Sequence, residues 1–132
     1  MSAEQNKEMV KTAWMAFAKG DIKTAFGSMA DNVSWLVPGS VPGVSGVKRG
    51  KDEIIKFMSA IVPILDGGMD SAVSRAYADG DTVILEVTNK AKTKSGKSYQ
   101  NEYCFVFEIE NSKIRRIREY TDTQKAKDIL FS

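Results

Sequence analysis

The sequence predicts an α+β fold, with helices packed on one face of a mostly antiparallel sheet in a single domain spanning residues 1–132. Three observations carry this. Val10, Ala13, Trp14 and Phe17 recur at helical spacing near the start, and Ile54, Phe57, Met58 and Ile61 repeat that spacing in mid-chain. The second half lacks helical periodicity until its end and reads as a run of strands. Within it lies Ser98–Asp122, SYQNEYCFVFEIENSKIRRIREYTD, which reads as strand, turn and strand. Asn101, Tyr103, Phe105 and Phe107 share one face there, because side chains alternate with period two.

Taken in order, the first helix runs from about Glu4 to Lys19 and ends at Gly20. Asp21 caps a short second helix reaching about Met29. Asp31-Asn32 then turns the chain into a strand, Val33–Val37. A loop dense in breakers follows, PGSVPGVSG from Pro38 to Gly46. It lacks the spacing and the trailing GK[ST] of a P-loop. A third helix covers about Asp52–Val62, with Pro63 disrupting its end. Strands are expected at Asp70–Ala78, Thr82–Lys94, Ser98–Ile109 and Lys113–Thr121, and a short helix at Gln124–Leu130.

Turn chemistry sets the register of the central hairpin. Lys94-Ser95-Gly96 suits a three-residue loop with Gly in the left-handed position. Val83 then faces Phe107, Leu85 faces Phe105, Val87 faces Tyr103 and Asn89 faces Asn101. The opposite face pairs Ile84 with Val106, Glu86 with Cys104 and Thr88 with Glu102. A one-residue slip would set Glu86 against Phe105 and scramble both faces. In the last strand Ile114, Ile117 and Tyr120 recur every three residues, which no regular strand places on one face. A β-bulge resolves this. Placed just after Ile117 it sends Tyr120 and Asp122 inward and leaves Ile114 outside; placed before Ile117 it sends Glu119 inward instead. The first is the expected arrangement.

Composition excludes several function classes. Hydrophobic residues make up 42% and charged residues 27%, ordinary values for a globular protein. The net charge of +2, with Lys and Arg scattered, gives no basis for nucleic-acid binding. With no histidine and one cysteine, the common zinc sites, His-based triads and intrachain disulfides are absent. The N-terminus is polar and no apolar run approaches a membrane span. The expectation is a cytoplasmic protein with no metal, no cofactor and no membrane or nucleic-acid partner.

The element order and several motifs resemble the nuclear-transport-factor-2-like superfamily, in its SnoaL-like branch related to ketosteroid isomerases and polyketide cyclases. The matching pieces are AKGD (Ala18–Asp21), MADNVSW (Met29–Trp35), VPGSVPGVSG (Val37–Gly46) leading to KRGKDEIIKFM (Lys48–Met58), and NSKIRRIREYTD (Asn111–Asp122). They cover nearly the whole chain. The resemblance implies a cone, with three N-terminal helices in the concave face of a strongly curved sheet and a pocket between them. It also implies homodimers through the outer sheet face. It is specific for fold and not for function, since the fold hosts isomerases, cyclases, epoxide hydrolases, dehydratases and non-catalytic binders. The isomerase's own set of an Asp base with Tyr and protonated Asp as oxyanion donors is not retained. Its base position falls on Val37, its first-helix tyrosine on Ala13, and its oxyanion Asp near Tyr103. A standard ketosteroid isomerase is therefore not expected.

What remains is a pocket for a small, apolar, oxygenated molecule. Trp14, Phe17, Trp35, Phe57, Phe105 and Phe107 are its expected walls, and Asn89, Asn101 and Tyr120 its polar ligand contacts. Asp122 is the expected acid/base, as implied by the late acidic residue of SnoaL-like cyclases, with Tyr103 polarising the substrate. Asp122 also sits where it can cap the last helix. Two functions stay open: a cofactor-independent isomerase, cyclase or hydrolase, and a non-catalytic binding or dimeric association protein. The outer face, with Ile84, Cys104 and Val106 among charges, is expected to be covered by a second copy.

Overall fold

Local signals place each helix. In the computed structural model, which describes residues 2–131, Ser2 and Gln5 form a reciprocal capping box at the start of α1 (Ala3–Ala18). Gly20, at φ +82°, reverses the chain after it. Asp21 Oδ1 accepts from the Thr24 amide at 3.2 Å and caps α2 (Ile22–Gly27). The long strand β1 (Met29–Val37) follows, then β2 (Gly46–Arg49), and α3 (Gly50–Ile61) with a 3-10 turn at Val62–Ile64. The remainder is β3 (Leu65–Asp79), β4 (Thr82–Thr93), β5 (Ser98–Glu110), β6 (Lys113–Thr121) and α4 (Thr123–Leu130).

The six strands form one sheet in the order β2-β1-β6-β5-β4-β3. Only β1 and β6 run parallel among these neighbours. The β4–β5 register matches the expected one at every pair, from Val83 opposite Phe107 to Asn89 opposite Asn101. Strand β2, inside the segment read as loop and helix start, was not expected. Strand β3 begins five residues earlier than expected. Gly67 and Gly68, both at positive φ, form a bulge that lets the ladder continue past them. Further irregularities interrupt the pairing of β3 near Ser74 and of β1 with β6, and together they curl the sheet.

Helices α1 and α2 with α3 lie in the concave face: α1 packs on β3 and β4, α3 on β1 and β2. Val10, Trp35, Ile54, Leu85, Phe105, Phe107 and Ile117 are all but inaccessible in the core. The fold is the expected α+β cone. Among the described residues no helix is long and apolar enough to cross a membrane.

The last strand differs from expectation. Ile109 pairs with Ile114 and Glu108 with Arg116, so the extra residue is Arg115, before Ile117. Ile114 and Ile117 are both fully buried, whereas Tyr120 is 44% exposed. The expected bulge after Ile117, with Ile114 outside and Tyr120 and Asp122 inward, is therefore corrected. Ile117 is inward in either arrangement, so the choice is between burying Ile114 and burying Tyr120, and burying an isoleucine stabilises by roughly 2–3 kcal/mol with no hydroxyl to satisfy.

Candidate functional site

Between the helices and the concave sheet lies a cavity of about 480 Å³. Its walls come from every layer: Trp14 and Phe17 of α1, Trp35 of β1, Phe57 and Met58 of α3, Phe105 of β5, and Ala126 and Leu130 of α4. Val41 and Val44 of the Pro- and Gly-rich loop complete the lining. The aromatic rings brace one another. Trp14 lies 4.3 Å from Phe105 by ring centroid, Phe17 meets Trp35 edge-on at 5.8 Å, and Tyr103 stacks on Phe105 at 5.6 Å. This is space for a small organic molecule, apolar over most of its surface.

One carboxylate stands in that wall. Glu119 lies two residues beyond Ile117 on the same face of β6 and lines the cavity. Parallel pairing of Trp35 with Ile117 brings Trp35 beside it. The Trp35 indole N–H donates to Glu119 Oε1 at 3.1 Å. Burial pushes the Glu119 carboxyl up to about 7, against the opposing pull of the Trp35 hydrogen bond and of Lys48. Lys48, opposite Trp35 on β2, holds its ammonium 4.4 Å above the Phe57 ring and donates to the carbonyls of Val44 and Gly46. Burial lowers its own pKa. A carboxyl that changes protonation near neutral pH inside an apolar cavity can both take and return a proton.

A hydrogen-bond chain ends at the same cavity. Asn101 Nδ2 donates to Tyr99 Oη at 2.9 Å, and Tyr99 and Tyr103 share a hydroxyl–hydroxyl bond. Tyr99 has a second lone pair beside the one that accepts from Asn101, so either hydroxyl of the pair can donate to the other. Burial raises the Tyr103 pKa far above its ordinary value, so the hydroxyl stays a donor.

Of the residues singled out from the sequence, Trp14, Phe17, Trp35, Phe57, Asn89, Tyr103 and Phe105 line the cavity. Phe107 lies in the core and outside the lining. Asn101 is buried, and its amide donates to Tyr99 and to the Asp122 carbonyl at 3.0 Å, so it holds the frame. It is not in the lining of this cavity but borders, with Tyr103, Tyr120 and Asp122, a more open hollow beside it. Tyr120 is on the outer side of β6. Asp122 is exposed, and its Oδ1 accepts from the Lys125 amide at 3.1 Å as the N-cap of α4. The inward role expected of Asp122 is thus corrected to a capping one, because the bulge at Arg115 reverses the parity assumed for it. Glu119 was the stated alternative; its partner Lys48 was missed altogether. The signal for Lys48 lay in the position of β2, which the glycines of the preceding loop obscured. Among the described residues no three acidic or sulfur side chains cluster as metal ligands would.

The SnoaL-like domain family matches residues 10–117. A protein of Mycobacterium tuberculosis, itself uncharacterised, is 22% identical over 120 residues, 91% of each chain. Among solved structures, Bal32a from a soil-derived mobile gene cassette superposes with a TM-score of 0.88 at 28% identity, covering 97% of this chain and 98% of its own. TerC, co-crystallised with polyporic acid, gives 0.86 at 23% identity over 96% and 98% of the two chains. An LEH-like epoxide hydrolase of M. tuberculosis gives 0.72 at 21% identity over 97% and 90%. These last two share the fold with this chain.

Proposed function

The chain belongs to the SnoaL-like family, and from that premise we propose that it is a cofactor-independent proton-transfer enzyme acting on a small, apolar, oxygenated molecule in the cytoplasm. The observation that carries this reading is the Glu119 carboxyl, held by the Trp35 indole in the wall of an apolar cavity and titrating near neutrality. In its charged form Glu119 removes a proton from carbon beside a ligand carbonyl. The C–H electron pair moves into the enolate, whose oxygen accepts the Tyr103 hydroxyl proton as a hydrogen bond. The proton then returns from Glu119 to carbon. Solved structures of this fold that were co-crystallised with polyporic acid or are described as an LEH-like epoxide hydrolase are consistent with such a ligand.

Exchange of α-protons for deuterium in 2-tetralone, followed by NMR in heavy water, tests it without knowledge of the natural substrate. Acceleration over buffer is expected, rising with pH through about 7 as Glu119 loses its proton. Wild-type protein that only matches buffer, or full activity in Glu119→Gln, would defeat the reading.

We further propose that two copies pair through the outer sheet face. Ile84, Cys104 and Val106 are half-buried there, and Tyr77 and Tyr120 are 43% and 44% exposed. Light scattering at micromolar concentration should give twice the chain mass, and a monomer would refute the pairing.

A further inference from the structure

Beyond Glu119 and Tyr103 the cavity wall carries two further polar side chains, on β3 and β4. Asn89 of β4 and Ser71 of β3 are directly paired across the sheet, and both line the cavity. Asn89 is 7% exposed, and its side-chain oxygen is buried with no hydrogen-bond partner. Its side chain lies beside the Tyr103 hydroxyl and pulls that pKa down, and Oδ1 is the unpaired atom. A buried acceptor without a donor costs about 1–3 kcal/mol, so native proteins rarely leave one unmatched. Ser71 presents the complementary group. Its Oγ accepts from the Trp14 indole N–H at 3.2 Å, which spends a lone pair and leaves the Ser71 proton free to donate.

One open acceptor beside one open donor is the counterpart of a hydroxyl. A ligand carbonyl could take the Ser71 proton but would leave Asn89 Oδ1 unmatched, and an ether would do the same. We infer that Asn89 and Ser71 form a hydroxyl-recognising subsite, so that the cavity takes an alcohol or phenol whose O–H donates to Asn89 Oδ1 and accepts from Ser71 Oγ. Glu119 is on β6 and Asn89 on β4, with β5 between them. Glu119 is level with Phe105 and Leu85, so Asn89 lies four residues farther along β4. The substrate class is therefore a hydroxylated compound with its reacting carbon beside Glu119. This deepens the reading above and rests on its claim that the cavity holds a ligand, not on proton transfer.

Calorimetric titration with 2-naphthol and with 2-methoxynaphthalene separates the two claims, because neither compound reacts. Wild-type protein should bind the naphthol at least about tenfold more tightly, the scale of one hydrogen bond made against a group otherwise left unmatched. Asn89→Leu should abolish that preference while still binding the methoxy compound. Ser71→Ala should reduce it, and Asn89→Asp, which keeps an acceptor at the same place, should preserve it. The Asp variant also reports if the Leu variant fails to fold. Equal affinities in the wild type, binding of neither compound, or a preference lost in Glu119→Gln and kept in Asn89→Leu would each overturn the subsite. A preference that follows Asn89 in a protein with no tetralone exchange would sustain the subsite and overturn the proton-transfer reading alone.

Discussion

Two carboxylates three residues apart end the last strand and meet opposite fates. Glu119 faces the cavity, bonded to an indole and pushed up to about 7 by burial. Asp122 is in solvent, its oxygen spent on the backbone of α4. They have the same chemistry and differ in geometry: Glu119 is on the inner face of β6, and Asp122 is one residue past its end, as the N-cap of α4. An acidic side chain near a pocket therefore says little about catalysis until strand parity is known. The contrast extends to their partners. Glu119 depends on groups from β1 and β2, remote in sequence, whereas Asp122 needs only the next three residues.

The largest expected consequence is in turnover. Glu119→Gln should reduce tetralone exchange by about 100-fold or more, the usual scale for a general base. Asp122→Asn, still a good cap, should leave it within twofold, and equal losses in the two variants would erase the distinction.

The next effect is in stability against pH. A glutamate ordinarily titrates at 4.5, and this one at about 7 when folded. Between those values the folded state keeps a proton that the unfolded state has released. Stability contributed by Glu119 is thus full below 4.5 and is lost as pH rises through about 7. The loss amounts to about 3 kcal/mol at most. Glu119→Gln should escape it, so urea unfolding should show the variant gaining on the wild type from pH 5 to pH 8.

Asp122→Ala tests the other carboxylate. Loss of the cap should cost about 1 kcal/mol, seen as a lower urea midpoint with an unchanged slope. Because Ala126 and Leu130 of α4 wall the cavity, a small loss of naphthol affinity should accompany it. Smallest is Trp35→Phe. The indole bond favours the charged carboxylate, so its removal should move the exchange profile to higher pH without abolishing exchange. An unmoved profile would mean that the indole bond does not tune Glu119.

Much of the molecule was legible from the residues alone. The β4–β5 register, the Asp21 cap, the breaks at Gly20 and Pro63 and the aromatic inner face all follow from signals within a few residues of one another. Turn type, a two-residue period and the missing Cβ of glycine act locally, so no distant contact is needed to read them. The same locality made Asp122 readable as a cap.

Tertiary structure decided the rest. Whether the bulge falls before or after Ile117 depends on what waits to cover Ile114, and that is Met29 of β1, its neighbour across the parallel pair. Burial of both isoleucines selects Arg115 as the extra residue, and that choice turns Glu119 inward and Tyr120 out. Trp35 and Glu119, separated by 84 positions, meet only because β1 inserts beside β6. The pKa of Glu119 belongs to this assembled wall, since desolvation is a property of the surrounding packing and of no short stretch of chain.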